Sequence, residues 1–434
     1  MQTTPETPRM VRTSSYMARP AIAVAVFSLC TSFHAQAVDA FDAGTKLLSL
    51  DAVSMSGTTY NQVKATVDSY TLLGVGSGAP IADTFDPTTN LLTLGAVAFQ
   101  GATYNNVHVT VNAYTLLSVG SASGSATTYA NMAGASLGAG ASLNGAIPFP
   151  ANNAWNTDVS GSAVDPNSDA LIASIGLARG LHPDFGSGLY GGAPIGIPYV
   201  VVASSQAKVP ITFTDYGDES DAGPYPVPAN APIEGQQANG SAFDGDRHVL
   251  VVDRDANLLY EMGNSYPQGN GSWKASGGAV FHLDSNSVRP GGQPGWTSAD
   301  AAGLPIFPGL VRYDEASSGV IRHALRFTVG TTRRAYVPPA THWASSNTSA
   351  NVPPMGMRVR LKASYVIPAS FSTESRAILQ SMKTYGMLVA DNGSNWYVSG
   401  APDARWNNDK LVSELGSVKG ASFEVVRMDG LVAP

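Results

Sequence analysis

Cysteine is almost missing from this chain: among 434 residues only Cys30 is one. A disulfide framework within the chain is therefore excluded, and so is any zinc site built on several thiolates. Charge is scarce too, at 13% of residues, and its balance is acidic, with a formal net charge of −7. Binding a polyanion needs a basic face, so nucleic acid is not an expected partner. The apolar run Ala21 to Leu29 is much shorter than the roughly 20 residues of a membrane-spanning helix, and no later stretch approaches that length. No membrane span is expected. Two catalytic signatures are absent as well: a His-x-x-x-His pair and a phosphate-cradling Gly-x-x-x-x-Gly-Lys loop.

What is present begins with an export leader. Arg9, Arg12 and Arg19 make a basic start, Ala21 to Leu29 an apolar run, and Ala35-Gln36-Ala37 a small-residue cleavage site. Residues 1–37 are therefore expected to be a signal peptide, with the mature chain starting near Val38. Cys30 would leave with it, and the bulky Leu29 before it argues against a lipid anchor. Losing three Arg and one Glu moves the formal charge from −7 to −9. The expected location is extracellular, periplasmic or on the cell envelope, of a bacterial type without disulfides.

Residues 41–76 and 85–120 are copies at an offset of 44, identical at 21 of 36 positions. Alternating runs such as Val107, Val109 and Val111 have the period of half-buried strands, and Gly57 and Gly101 supply turns. A unit this small cannot bury a core alone, so residues 38–120 are expected to be a tandem β module. Residues 121–146 are almost entirely Ser, Gly, Ala, Thr and Asn, the composition of a flexible tether. Residues 147–434 then form the large functional domain, and they hold all six tryptophans and five of the seven histidines.

The large domain reads as mainly β, a β-sandwich or jelly roll with a few helices and long Pro/Gly loops. Strands are expected at Ile197–Ala203, Val209–Phe213, His248–Val252, Leu258–Met262, Val320–Val329 and Met357–Ala363. Helices are expected over Pro166–Ile175, over Thr373–Tyr385 behind the N-cap Ser372, and over Asp409–Leu415.

The Phe-Asp and Thr-Tyr-Asn-x-Val pattern of residues 41–120 resembles short β repeats near the N-termini of secreted bacterial proteins, which implies a spacer or attachment module. Residues 147–426 resemble a family of secreted bacterial proteins without an established activity. That likeness rests on Phe149-Pro150-Ala151-Asn152-Asn153-Ala154-Trp155-Asn156, on the stretch Gly295 to Pro305, and on Ala390 to Tyr397. It implies no mechanism and carries over no site residue.

The chemistry-bearing residues concentrate between Leu310 and His342. Leu310–Asp314 and Val320–Val329 read as a hairpin around Ala316-Ser317-Ser318-Gly319, with Asp314 and Glu315 at its mouth. Alternation puts His323 with Ile321, Leu325 and Phe327, and turns Arg326 the other way. A histidine beside a cleft can shuttle protons near neutral pH, so His323 is a candidate base or acid, although most buried histidines are merely hydrogen-bonded to the backbone. Asp314, Glu315, Tyr313 and Arg326 complete the set, and His248 heads a second hairpin, Val252 facing Leu258, that would separate His248 from Glu261 on opposite faces. Around its turn, Asp253-Arg254-Asp255-Ala256-Asn257 imitates the start of a calcium loop but lacks the glycine at position six and the glutamate at position twelve. No cofactor is expected, with calcium as the weak exception.

Trp and Tyr faces stack on sugars while Asn, Asp and Arg bond their hydroxyls, so the expected partner is an extracellular polysaccharide. Trp296, Trp343, Trp396 and Tyr336 are the candidate binding residues. The expected activity is a glycoside hydrolase or a polysaccharide lyase, with a non-catalytic carbohydrate-binding or adhesion protein as the rival. Hydrolysis needs a second carboxylate beside Glu315 or Asp314, for which Glu261 or Asp391 is available. A lyase would use a His or Tyr base with a cation on a uronate. Composition and spacing leave that choice, and the oligomeric state, open.

Overall fold

The computed structural model describes residues 39–42, 46–55, 58–76, 83–86, 90–99, 102–118, 121–122, 131–241, 245–292 and 294–434. The expected signal peptide lies outside the described residues. The chain divides into two compact units, Met1–Thr128 and Tyr129–Pro434.

Among the described residues, the first unit is one sheet of seven strands: β1 (Ala40–Asp42), β2 (Leu47–Met55), β3 (Thr58–Gly76), β4 (Thr84–Asp86), β5 (Leu91–Phe99), β6 (Ala102–Ser118) and β7 (Ser121–Ala122). Each repeat contributes one hairpin, β2 with β3 and β5 with β6. The hairpins join along their long strands, which run antiparallel from Lys64 opposite Ser118 to Gly76 opposite Asn105. Because β2 also pairs with β4, and β4 with β5, strands β2 to β6 form a closed ring of pairings. The alternating Val107, Val109 and Val111 meet Leu48, Leu50, Leu92 and Leu94 in one core shared by both repeats.

The second unit is built on two larger mixed sheets. One has five strands in the order β18-β15-β14-β12-β8: β8 (Gly138–Ala139), β12 (Tyr199–Val202), β14 (Val249–Asp253), β15 (Leu258–Gly263) and β18 (Gly277–His282). The other has six in the order β23-β20-β21-β19-β22-β9: β9 (His182–Asp184), β19 (Leu325–Val329), β20 (Arg358–Leu361), β21 (Met387–Asn392), β22 (Tyr397–Ser399) and β23 (Phe423–Val425). A two-stranded ribbon of β10 (Leu189–Tyr190) and β11 (Ala193–Pro194), and a three-stranded sheet of β13 (Ile211–Phe213), β16 (Tyr266–Pro267) and β17 (Trp273–Ala275), complete the strands. The helices are α1 (Ser168–Ile175), α2 (Tyr313–Ser318), α3 (Thr373–Thr384) and α4 (Asn408–Ser417). The large unit is thus mainly β, as its composition and periodicity indicate.

The main core takes one face of each large sheet: Val201, Leu250, Val252 and Leu259 from the first, and Leu325, Phe327, Val389 and Val398 from the second. The other face of the five-stranded sheet packs Val200, Val249, Val251 and Tyr260 against Trp273 and Ala275 of the small sheet. A strand covered on both sides has no polar alternation, which is why β14 reads Val-Leu-Val-Val. Among the described residues, no helix is long and apolar enough to cross a membrane.

Three expectations change here. Residues 131–146 are not a tether: β8 pairs with β12, and Met132, Ala135 and Leu143 lie in the main core. Three apolar side chains in a Gly/Ser-rich stretch suffice to anchor it. Replacing Leu143 with Ala in the full chain should lower stability by about 2–5 kcal/mol, as for other buried leucines. A tether position would show no shift in a thermal melt.

The Leu310–Val329 hairpin is also absent, because Tyr313–Ser318 is a short helix. Arg312 N–H donates to Glu315 Oε1 at 3.2 Å, and Gly319 closes the turn at φ 85°. Asp314 and Glu315 in the first turn favour a helix N-terminus over a hairpin mouth. Last, the β14–β15 hairpin pairs Asp253 with Leu258 and Val252 with Leu259, one residue away from the expected register. A single-residue slip exchanges the faces of a strand. Glu261 therefore lies opposite Leu250, on the face that alternation also assigns to His248.

Candidate active site

The expected site residues fall into two separate clusters. The first joins α2 to β19. His323 is 1% exposed, and its Nδ1 donates to the Ala324 carbonyl at 2.8 Å. Its Nε2 lies 3.0 Å from Glu315 Oε1 and 3.0 Å from Arg312 Nη2, while that guanidinium also donates to Glu315 Oε2 at 2.8 Å. Burial would raise the Glu315 carboxyl, but Arg312 and His323 outweigh it and hold it below the usual range. Asp314 accepts from Ser142 Oγ at 2.8 Å and Leu143 N–H at 3.2 Å, fastening the 131–146 segment. Tyr313 packs edge-on to Trp406 at 4.9 Å under the guanidinium of Arg405. Both ring nitrogens of His323 and both oxygens of Glu315 thus meet protein groups.

The second cluster centres on Arg326, which is turned away from Leu325 and Phe327. Its Nε and Nη2 donate to the two oxygens of Asp300 at 2.7 and 2.8 Å, and Nη1 donates to Ser399 Oγ at 2.6 Å. Nη2 also lies 3.5 Å from Asp391 Oδ2. Asp391 is on this face because β21 bulges: Phe327 is level with Val389, but Thr328 is level with Asp391, skipping Ala390. Such bulges re-aim side chains beside sites. On the other flank, Asp184 pairs with Ser399 across β9 and β22.

His248 lies within electrostatic reach of Arg326. Its Nδ1 is 2.6 Å from Glu234 Oε2 and its Nε2 is 3.0 Å from the Ala299 carbonyl. With an acceptor at each nitrogen, both must carry protons, so the ring is an imidazolium. Burial opposes that charge, but Glu234 overcomes it and lifts the ring to about 9. Burial also opposes the Glu234 carboxylate, which His248 nevertheless holds below its ordinary value.

Three other carboxyls shift the opposite way. Asp391, 22% exposed at its side chain, is raised to about 7 by burial and the neighbouring Asp300, against the pull of Arg326. Glu261, fully buried, is raised to about 7 by desolvation, although it accepts from the Ile306 and Phe307 N–H groups. Asp184 is exposed as a residue, yet desolvation of its carboxyl raises it, with His182 opposing. The site therefore presents a protonated carboxyl, Asp391, near a fixed guanidinium, with solvent reaching Asp391, Glu234 and Asp184.

The turn that delivers Asp300 depends on Gly303. Its φ is 71°, and an added Cβ would lie 2.1 Å from Thr341 Oγ1 and 2.7 Å from the Trp296 carbonyl. Gly303→Ala should cost about 1–3 kcal/mol for the left-handed backbone alone, before the clash. Urea unfolding measures the sum.

The candidate sugar-stacking rings are mostly enclosed. Trp396 is 0% exposed, lies against Phe327 and Phe423, and donates its indole N–H to the Gly176 carbonyl at 3.1 Å. That corrects its expected surface role: it anchors the core. Tyr336 is buried and its hydroxyl donates to the Gly292 carbonyl at 2.7 Å, while its ring stacks on the buried Trp343. Trp296 remains partly exposed beside Arg289. The calcium-like turn is filled by protein donors: Asp253 accepts from Ser204 Oγ, Asp255 from Ser204 N–H and Asn257 from Met132 N–H. Among the described residues, no group of three His, Cys, Asp or Glu is placed to hold a metal.

Arg326 and His248 thus share a site that His323, Glu315, Asp314 and Tyr313 do not join. Sequence reasoning missed Asp184, Glu234 and Asp300. Asp300 carried one faint signal, a lone carboxylate in the small-residue stretch Ser298 to Gly303. No family model, curated protein or solved structure matches this chain.

Proposed function

We propose that this chain is an exported hydrolase of polysaccharide glycosidic bonds, working at the Arg326 cluster. One observation carries the reading: Asp391, raised to about 7, holds a proton near neutrality at the solvent-accessible edge of a site that keeps Glu234 ionised. In this reading Asp391 gives its proton to the glycosidic oxygen as the C–O bond breaks. Asp184 serves as the second carboxylate, activating water or attacking the sugar, since Glu234 is committed to His248. Arg326 and His248 position the carboxyls and set their charge.

A lyase working through a histidine base is disfavoured, because neither His248 nor His323 has a ring nitrogen to spare. A purely adhesive role draws little support from Trp343, Trp396 and Tyr336, which are buried. The expected leader at residues 1–37 and the resemblance to secreted bacterial proteins favour an extracellular polymer as substrate.

The test is reducing-end release from a panel of polysaccharides by the full chain and by Asp391→Asn. Losing the proton donor should cut turnover by about 100-fold or more. Wild-type kcat should also fall as pH rises through 7, where Asp391 deprotonates. Undiminished turnover by Asp391→Asn, or no release from any polymer, overturns the reading.

A further inference from the structure

The ends of three segments that build the acid cluster also build a groove. Asp184 is two residues from Gly186, Ser399 is two from Ala401, and Glu234 lies between Ile233 and Gln236; Gly186, Ala401, Ile233 and Gln236 all line one cavity of 580 Å³. Consecutive Cα atoms are about 3.8 Å apart, so the cavity begins within about 7 Å of the cluster along each segment. Its volume is within the range of small-molecule sites.

The chemistry of the wall is selective. Among the described residues it holds no Lys or Arg, and its one ionisable acid, Asp403, is kept ionised below its usual range by Arg405 through bonds of 2.6 and 2.8 Å. Glu234 adds a second fixed negative charge nearby. The polar wall is otherwise neutral, with Gln236 and Gln237, and the apolar side includes Leu189, which is 64% exposed. An anionic sugar would lose water around its carboxylate and find no cation in the wall, Arg405 being already paired with Asp403. Neutral hydroxyls can pair with side-chain amides, and the apolar face of a sugar ring can lie on Leu189.

We infer that this groove is the substrate subsite and that it takes a neutral glycan, rejecting uronic-acid polymers. The inference deepens the hydrolase reading and rests on it for the bond cleaved, but not for binding. Ala404 lines the groove and is exposed, so a bulky side chain there fills the groove from the solvent side without entering the core.

The experiment measures binding of gluco-, manno- and xylo-oligosaccharides, and of oligouronides, to full-length Asp391→Asn by calorimetry. The same titrations follow with Ala404→Trp added, and its unfolding temperature is checked against the parent. At least one neutral oligomer should bind, oligouronides should bind at least about tenfold more weakly, and Ala404→Trp should weaken the neutral ligand at least tenfold at unchanged stability. Preference for oligouronides, or neutral binding indifferent to Ala404→Trp, overturns the inference. If Ala404→Trp abolishes binding while Asp391→Asn still hydrolyses, the groove stands and the catalytic assignment falls. If Asp391→Asn is inactive and groove filling changes nothing, the reverse holds. Should Ala404→Trp lower the melt, Gln236→Leu, which removes a neutral amide from the wall, must show the same selective weakening.

Discussion

Replacing Arg326 with Leu should destabilise the large unit by about 3–5 kcal/mol, because it strands a buried carboxylate. Asp300 is 1% exposed, and both its oxygens are held by Arg326. Without the guanidinium it must stay charged in a poor solvent or take up a proton. For a unit of this size the melting temperature should drop on the order of 10 °C. Arg326→Lys should lie in between, since an ammonium keeps the charge but not the two parallel bonds or the reach to Ser399. The double variant Arg326→Leu with Asp300→Leu should recover much of the loss, because two apolar groups leave no unpaired charge. A single variant that melts with the wild type, or a double variant no better than the single one, would contradict the account.

That ion pair also shows why the site is only partly legible in the sequence. Local signals suffice for local structure: Ser372 caps α3 by accepting from Ser375 N–H, Asn407 caps α4 by accepting from Lys410 N–H, and α1 ends at Ile175 as its pattern implies. The repeat that starts at Phe41 forms one closed ring because its apolar period matches the pleat. Where two local readings compete, the weaker cue decides. Tyr313–Ser318 has turn-forming serines and a glycine, but Glu315 reaching back to Arg312 makes a helix of it.

The chemistry is a different matter, since it is assembled from Asp184, Glu234, His248, Asp300, Arg326 and Asp391, which share no segment. Arg326 and Asp391 stand out only as residue types, and one residue of register is enough to put His248 and Glu261 on opposite faces or on the same one. The bulge that aims Asp391 leaves no mark in the residue types around it. His323 and Glu315 are legible as a pair, and they do meet, yet in a knot closed by Arg312.

Stability of the large unit should be greatest near pH 5 and fall steadily toward pH 9. Three groups drive this. Glu261 rises from 4.5 to about 7 on folding and Asp391 from 3.8 to about 7, so the stability each contributes is complete below its unfolded value and lost as pH climbs to 7. His248 rises from 6.5 to about 9, so its contribution is complete below 6.5 and lost between 6.5 and 9. Glu234 and Glu315 are lowered and act oppositely: their contribution is present above the ordinary glutamate value and disappears as pH falls further. Acid loss below about pH 4.5 and alkaline loss that sets in above about the same value therefore bracket a maximum between about pH 4 and 5. Each tenfold gain in proton affinity on folding contributes about 1.4 kcal/mol, so the alkaline limb should amount to several kcal/mol. Urea unfolding at pH 5, 7 and 9 reads it directly, and the variants separate its parts. Glu261→Gln should roughly halve the loss from 5 to 7, leaving the part due to Asp391, and keep the stretch from 7 to 9 intact, whereas His248→Gln should flatten the stretch from 7 to 9. Stability that is level or rising from pH 5 to 9 would mean that these buried groups do not hold their protons, and with that Asp391 would lose its standing as the acid.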